Sequence, residues 1–213
     1  DHQARRTRES KGELRMKSLL NNIWQMTNAE KIGLAKNRFL PGEVQMAIAK
    51  SGYRRACSYL AENDGLDHNV RDYLWSDECN RGYIFKADLL AYGHYRDRPE
   101  KYVSFYDKYG LRIMRSSPWR LATTLTGAAW SSYYRGWQYT PTEVLETFFQ
   151  DFYSKDARFN IADSGTASYY TGHRQRLAFV KHPQCSMRIA IELSTHEDDK
   201  IRSAAFKKIV ELS

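Results

Sequence analysis

A chain that repeats itself at a fixed interval is constrained to stack one local unit on the next, because no single unit can bury its own apolar face. Such an interval is present here. The stretch LAKNRFLPGEV, from Leu34 to Val44, returns 26 residues later as LAENDGLDHNV, from Leu60 to Val70. Leu34/Leu60, Ala35/Ala61, Asn37/Asn63, Leu40/Leu66 and Val44/Val70 are identical pairs. Each copy reads as the end of a helix, a break at asparagine, and a restart behind proline or aspartate. PGEV at 41–44 comes back as PTEV at 141–144, and RRACSYLAEN at 54–63 has a weaker cousin in IFKADLLAYG at 84–93. The spacing departs from 26 after Trp75.

Capping pairs and 3.6-residue apolar spacing mark out a succession of short helices. Ser10 with Glu13 opens the first, whose apolar face is Met16, Leu19, Leu20, Ile23 and Trp24. Thr27 with Glu30 opens a second that ends near Asn37. Pro41 and Glu43 favour the start of a third, which carries Val44, Ala47 and Ile48 inward. Further helices are predicted over 54–63, after Asp67, over 84–92 and 99–109, and behind Ser117-Pro118. Thr140-Pro141-Thr142-Glu143 combines a hydroxyl cap, an early proline and a glutamate. Thr195 with Asp198 introduces the last helix, with Ile201, Ala204, Ala205, Ile209 and Val210 along one side. No stretch sustains the strict alternation of a strand, so the fold class is all-α.

The helix ending in LAxN, the short turn and the capped helix with an early valine resemble HEAT-like repeats, and more closely the leucine-rich repeat variant. The match is close over 34–76, partial at 84–93, 121–122 and 141–148, and faint at 185–212. The resemblance implies a right-handed α-solenoid of helix pairs, with irregular insertions and a concave surface used for binding. Some proteins with the variant repeat also carry a cysteine cluster for an iron–sulfur centre; nothing here matches it. The alternative architecture is an irregular helical bundle in which similar caps recur because caps draw on few residue types.

Composition narrows the class further. Of 213 residues, 42% are hydrophobic and 27% charged, with 12 Gly and 5 Pro, which suits a packed domain and not a disordered chain. The expected organisation is a basic flexible arm over residues 1–9, with Arg5, Arg6 and Arg8, followed by one helical repeat domain over 10–213. The apolar runs fall short of the ~18 residues a membrane span needs, and a cytoplasmic protein without membrane contact is expected. Net charge is +8, of which +3 lies in residues 1–17, a balance that favours an acidic partner.

Recognisable catalytic and metal-binding patterns are missing. Cys57, Cys79 and Cys185 form no CxxC pair. The six histidines (His2, His68, His94, His173, His182 and His196) form no HExxH and no metal spacing. The cluster SGTAS at 164–168 lacks the frame of a phosphate loop, and GxSxG is absent. Glu197, Asp198 and Asp199 begin a helix, where the dipole accounts for them. No catalytic residue, cofactor or metal is assigned.

Two stretches stand apart. WSSYYRGWQY at 130–139 holds Trp130, Tyr133, Tyr134, Arg135, Trp137 and Tyr139, and SYYTGHRQR at 168–176 holds Tyr169, Tyr170, His173, Arg174 and Arg176. Aromatics mixed with arginine supply large contact area with few rotors to freeze, the composition of interface hot spots and of base-stacking surfaces. The leading expectation is a non-catalytic α-solenoid scaffold that binds a protein partner within a larger assembly. The alternative is a solenoid that binds nucleic acid on a basic concave face. HEAT-like folds also build DNA glycosylases of the alkylation-repair type, and Trp119, Trp130, Trp137, Arg120 and Arg135 suit such a face, but no acidic residue beside them fits that family's catalytic aspartate. Deleting residues 1–9 is expected to leave the melting temperature unchanged while weakening capture of an acidic partner; a large loss of Tm would place the arm in the core.

Overall fold

A computed structural model describes residues 14, 16–79, 83–128, 134–159 and 173–213, and among these the regular structure is helical, with no strand. The expected arm with Arg5, Arg6 and Arg8, and the Ser10–Glu13 cap, lie outside the described residues. The helices are α1 (16–22), α2 (Asn28–Ala35), α3 (Gly42–Lys50), α4 (Arg54–Glu62), α5 (His68–Trp75), α6 (Tyr83–Ala91), α7 (Pro99–Ser116), α8 (Pro118–Thr126), α9 (Thr142–Phe152), α10 (His173–Lys181), α11 (Met187–Leu193) and α12 (Asp199–Leu212). They group into two compact units, 1–85 and 86–213, divided within α6.

In the first unit the 26-residue interval is an interval between helices. Asn28 to Arg54 and Gly42 to His68 both span 26 residues, and α2 packs on α4 as α3 packs on α5. The Thr27–Glu30 box caps α2: the Glu30 amide donates to the Thr27 hydroxyl, and the Thr27 amide donates to the Glu30 carboxylate at 2.8 Å. Asp67 caps α5 by accepting from the amides of Asn69 and Val70. Val44 and Ile48 are buried as expected, Ala47 is half-buried, and Leu60, Val70 and Leu74 are buried with them. Leu34 departs from its counterpart Leu60, being half-exposed. The cause is its neighbour: position 30, equivalent to the buried Ala56, is the exposed capping Glu30, so that side of α2 stays open while Lys31 and Ala35 turn inward.

The two pairs are stitched together by side-chain amides. Asn63 Nδ2 donates to the carbonyls of Ala35 (3.1 Å) and Asn37 (3.0 Å), while its oxygen accepts from the Gly65 amide at 2.9 Å. Gln45 donates to the carbonyls of Leu40 and Gly65 and accepts from the Asp67 amide. Both side chains are buried, so these bonds satisfy backbone groups at helix ends that would otherwise be orphaned away from water. The turns pack so closely that a Cβ on Gly65 would run into the Arg38 carbonyl oxygen.

The second unit is built around rings. Phe148 of α9 meets Tyr106 at 5.9 Å, Phe152 at 5.8 Å, Tyr153 at 5.4 Å and Phe179 at 5.4 Å. Helix α7 runs on to Ser116, past the break expected at Tyr109-Gly110. Gly110 is there for packing and not as a cap: a Cβ would lie 2.9 Å from the Tyr106 ring, whose hydroxyl donates to Asp151 at 2.8 Å. Thr140 does not cap α9 as expected. Pro141 is the residue before the helix, and the buried Thr140 hydroxyl makes no hydrogen bond. On α12, Ile201 and Ala205 are buried, but Val210 is 78% exposed because nine residues of helix turn it about 180° away from Ile201.

Asn37 and Asn63 are equivalent in sequence and unequal in structure, since Asn37 is exposed and accepts from the Phe39 amide. Asn63→Ala is expected to cost about 2–3 kcal/mol in urea unfolding, and Asn37→Ala about 0.5–1 kcal/mol. Equal losses would show that Asn63 does not bridge the pairs.

Candidate functional site

The second unit contains a groove of about 330 Å³ between the end of α8, the turn Gly136–Tyr139 and one face of α10. Arg174, Leu177, Ala178 and Lys181 occupy i, i+3, i+4 and i+7 of α10 and so share that face. The helix is pinned along the edge of that face. Gln175 Nε2 donates to the Thr126 hydroxyl at 2.7 Å, which donates on to the Ala122 carbonyl. Helix α8 ends at Gly127 in the left-handed region (φ +66°), and a Cβ there would come within 2.6 Å of the Trp137 indole. Glycine therefore closes the helix and lets its backbone lie on the ring.

Trp137 is held by its own backbone. Its carbonyl accepts from the Thr140 amide at 3.0 Å, and His182 lies 2.7 Å from the same oxygen through Nε2. The imidazole accepts the Gln184 amide at Nδ1, so its hydrogen is on Nε2 and donates to Trp137. The Trp137 and His182 rings also meet edge to face at 5.2 Å. The preceding Gly136 is buried: its carbonyl accepts from the Tyr102 hydroxyl at 2.7 Å, and a Cβ would strike the Leu90 carbonyl oxygen. The turn is thus anchored from three sides, which fixes the indole at the groove wall.

The expected contact residues divide accordingly. Trp137 and Arg174 come together in the groove. Arg135 and Tyr139 are exposed beside it in sequence, and Tyr134 is half-buried with its ring 5.1 Å from Tyr92. Arg176, two residues from Arg174, is rotated about 200° around the helix and lines a different pocket. Trp130, Tyr133, Tyr169 and Tyr170 lie outside the described residues, as does the side chain of His173. Trp119 is exposed with Arg120 over its ring at 5.2 Å, but the Arg120 guanidinium is engaged by Asp88 at 2.8 Å. Lys181, Leu177 and Gly127 were missed by sequence reasoning. Lys181 follows Arg174 at helical spacing, and Gly127 directly after LATTLT is a helix stop; both signals were present.

Among the described lining residues the charged side chains are Arg174 and Lys181, roughly 10 Å apart along the helix. Among the described residues no group of three or more His, Cys, Asp or Glu is placed to hold a metal ion, and no helix is long and apolar enough to cross a membrane. Cys57, Cys79 and Cys185 are buried and not in disulfides, and burial pushes the Cys185 thiol up to about 11. No protein-family model, curated protein or solved structure matches this chain.

His182 gives the groove a pH signature. Burial lowers its pKa to about 4, with the Lys208 charge acting in the same direction and the hydrogen bond to Trp137 opposing both. The unfolded chain takes up the proton near 6.5 and the folded chain does not. The stabilisation is therefore complete above about pH 6.5 and is lost as pH falls toward 4, by up to about 3 kcal/mol. His182→Gln should remove that slope: the gap between parent and variant, measured by urea unfolding, narrows from pH 7.5 to pH 4.5. A constant gap would mean the imidazole is already protonated or solvated in the fold.

Proposed function

We propose that this protein is a non-catalytic helical scaffold, an α-solenoid of the HEAT-like, leucine-rich repeat variant kind, that binds a protein partner. The groove beside Trp137 would receive an acidic segment with apolar side chains. The observation that carries the reading is the groove's lining among the described residues: an apolar floor of Ala128, Leu177, Ala178 and the indole, with Lys181 and Arg174 at either end of one helix face. An apolar floor rewards side chains, and the flanking cations reward acidic residues on either side of them. The 26-residue offset of the helix pairs, with Asn63 and Gln45 joining one pair to the next, supports the solenoid reading of the first unit.

A second reading is favoured by the exposed Trp119 and Tyr139 and the exposed Arg135, which suit base stacking and phosphate pairing on nucleic acid. The two readings differ in salt dependence. Selection from a random peptide display library, and fluorescence polarisation with labelled single-stranded and duplex oligonucleotides, put them side by side. The scaffold reading expects peptides enriched in Asp or Glu flanking Leu or Phe. Arg174→Ala and Lys181→Ala should each weaken those peptides about 5- to 10-fold. No peptide enrichment, with oligonucleotide affinity falling steeply in salt and the slope easing by about one phosphate in Arg135→Ala, would replace it with the nucleic-acid reading.

A further inference from the structure

The 26-residue interval of the first unit carries a reversal of charge. Lys36 and Arg38, which follow α2, are equivalent in sequence to Glu62 and Asp64, which end and follow α4. All four are exposed. Phe39 beside them is 80% exposed, more than any other large apolar side chain among the described residues. The Asn37 side chain accepts from the Phe39 amide at 3.0 Å, and the next residue, Leu40, is buried, so the turn faces the Phe39 ring outward.

The two turns lie in contact. Asn63 donates across to the carbonyls of Ala35 and Asn37, and Gly65 sits so close to the Arg38 carbonyl that a Cβ would have no room. One edge of the unit therefore sets a basic turn directly beside an acidic one. The turns do not neutralise each other: among the described residues none of the four charges is in an ion pair. The cations rest on rings instead, Lys36 Nζ at 4.5 Å from the centre of Tyr59 and the Arg38 guanidinium at 5.1 Å from the centre of Phe39.

We propose that this edge is a self-association surface, on which a second copy of the chain docks with Lys36 and Arg38 of each copy against Glu62 and Asp64 of the other. A surface that carries both signs side by side is its own complement. A two-fold axis running between the turns lays each basic turn on an acidic one, so both sets of charges are satisfied at once, as an isologous contact requires. A uniformly acidic or basic partner would meet attraction on one turn and repulsion on the other. Phe39 adds apolar contact against the partner copy's acidic turn, where Gly65 leaves the surface without a side chain. Two turns fall short of the roughly 800 Å² per partner of a stable interface, so the dimer is weak and reversible. The edge belongs to the first unit and the Trp137 groove to the second, so this inference and the scaffold reading stand or fall independently.

Sedimentation velocity of the full chain over a concentration series, at low and at high salt, tests the proposal. The parent should show a monomer–dimer equilibrium with Kd on the order of 100 µM at low salt, weakened about tenfold at ~0.5 M NaCl. Reversing the basic turn (Lys36→Glu with Arg38→Glu), or the acidic turn (Glu62→Lys with Asp64→Lys), gives each copy two turns of one sign. Either variant alone should associate at least about tenfold more weakly than the parent. Mixed in equal amounts, the two should form a heterodimer at least as tight as the parent dimer, because every turn again meets its opposite. Attraction between the turns of a single chain predicts no such rescue. Phe39→Ala should weaken the dimer about 3- to 10-fold with the melting temperature unchanged, since the ring is exposed. A parent that stays monomeric at low salt, a dimer indifferent to either reversal, or a mixture no tighter than its components would overturn it.

Discussion

The ring of Phe148 touches Tyr106 on α7, Tyr153 just past α9 and Phe179 on α10, all buried. That contact sets the rotation of α10 about its axis, and the rotation places both pockets of the second unit. Arg174 is delivered to the groove beside Trp137, and Arg176 to the backbone carbonyl of Tyr153. A few tens of degrees of rotation would move both guanidinium groups away from their walls. Large aromatic side chains do this well, because each removes much apolar area from water and freezes few torsions.

The first unit reaches rigidity by different means. Helices α2 to α5 are eight or nine residues long, too short to persist alone, and their termini crowd together at the turns. Asn63 and Gln45 satisfy the backbone groups exposed by that crowding. Neither residue recurs at the next interval, where Leu89 and Arg71 stand, so the amide stitch joins one pair to the next once.

The expected contact surface and the structural interior overlap in the segment 134–139. A loop loaded with Trp, Tyr and Arg reads as a contact surface, yet Gly136 and the Trp137 backbone are locked by Tyr102, His182 and Thr140. The consequence is a pre-organised wall. An indole whose backbone is fixed in this way would lose little entropy in any contact it made, unlike one on a loop that must first order.

Local chemistry was legible in the sequence because it acts over three or four residues. The Thr27–Glu30 box, the Asp67 cap and the paired valines at 44 and 70 are settled by hydrogen bonds and spacing within one turn. The 26-residue spacing of Leu34 and Leu60 reappears as the spacing of helix starts, Asn28 to Arg54 and Gly42 to His68. Whether each side chain then faces core or solvent was decided by what packs from elsewhere in the chain. Leu34 is open beside Glu30 while Leu60 is sealed beside Ala56, and Gly110 continues a helix because the ring of Tyr106 needs its space. Thr140 keeps its hydroxyl buried and unpaired instead of capping α9. Arg174 and Arg176 look like one basic patch when written in a line, but each residue turns the helix by about 100°, and only tertiary packing fixes where that rotation starts.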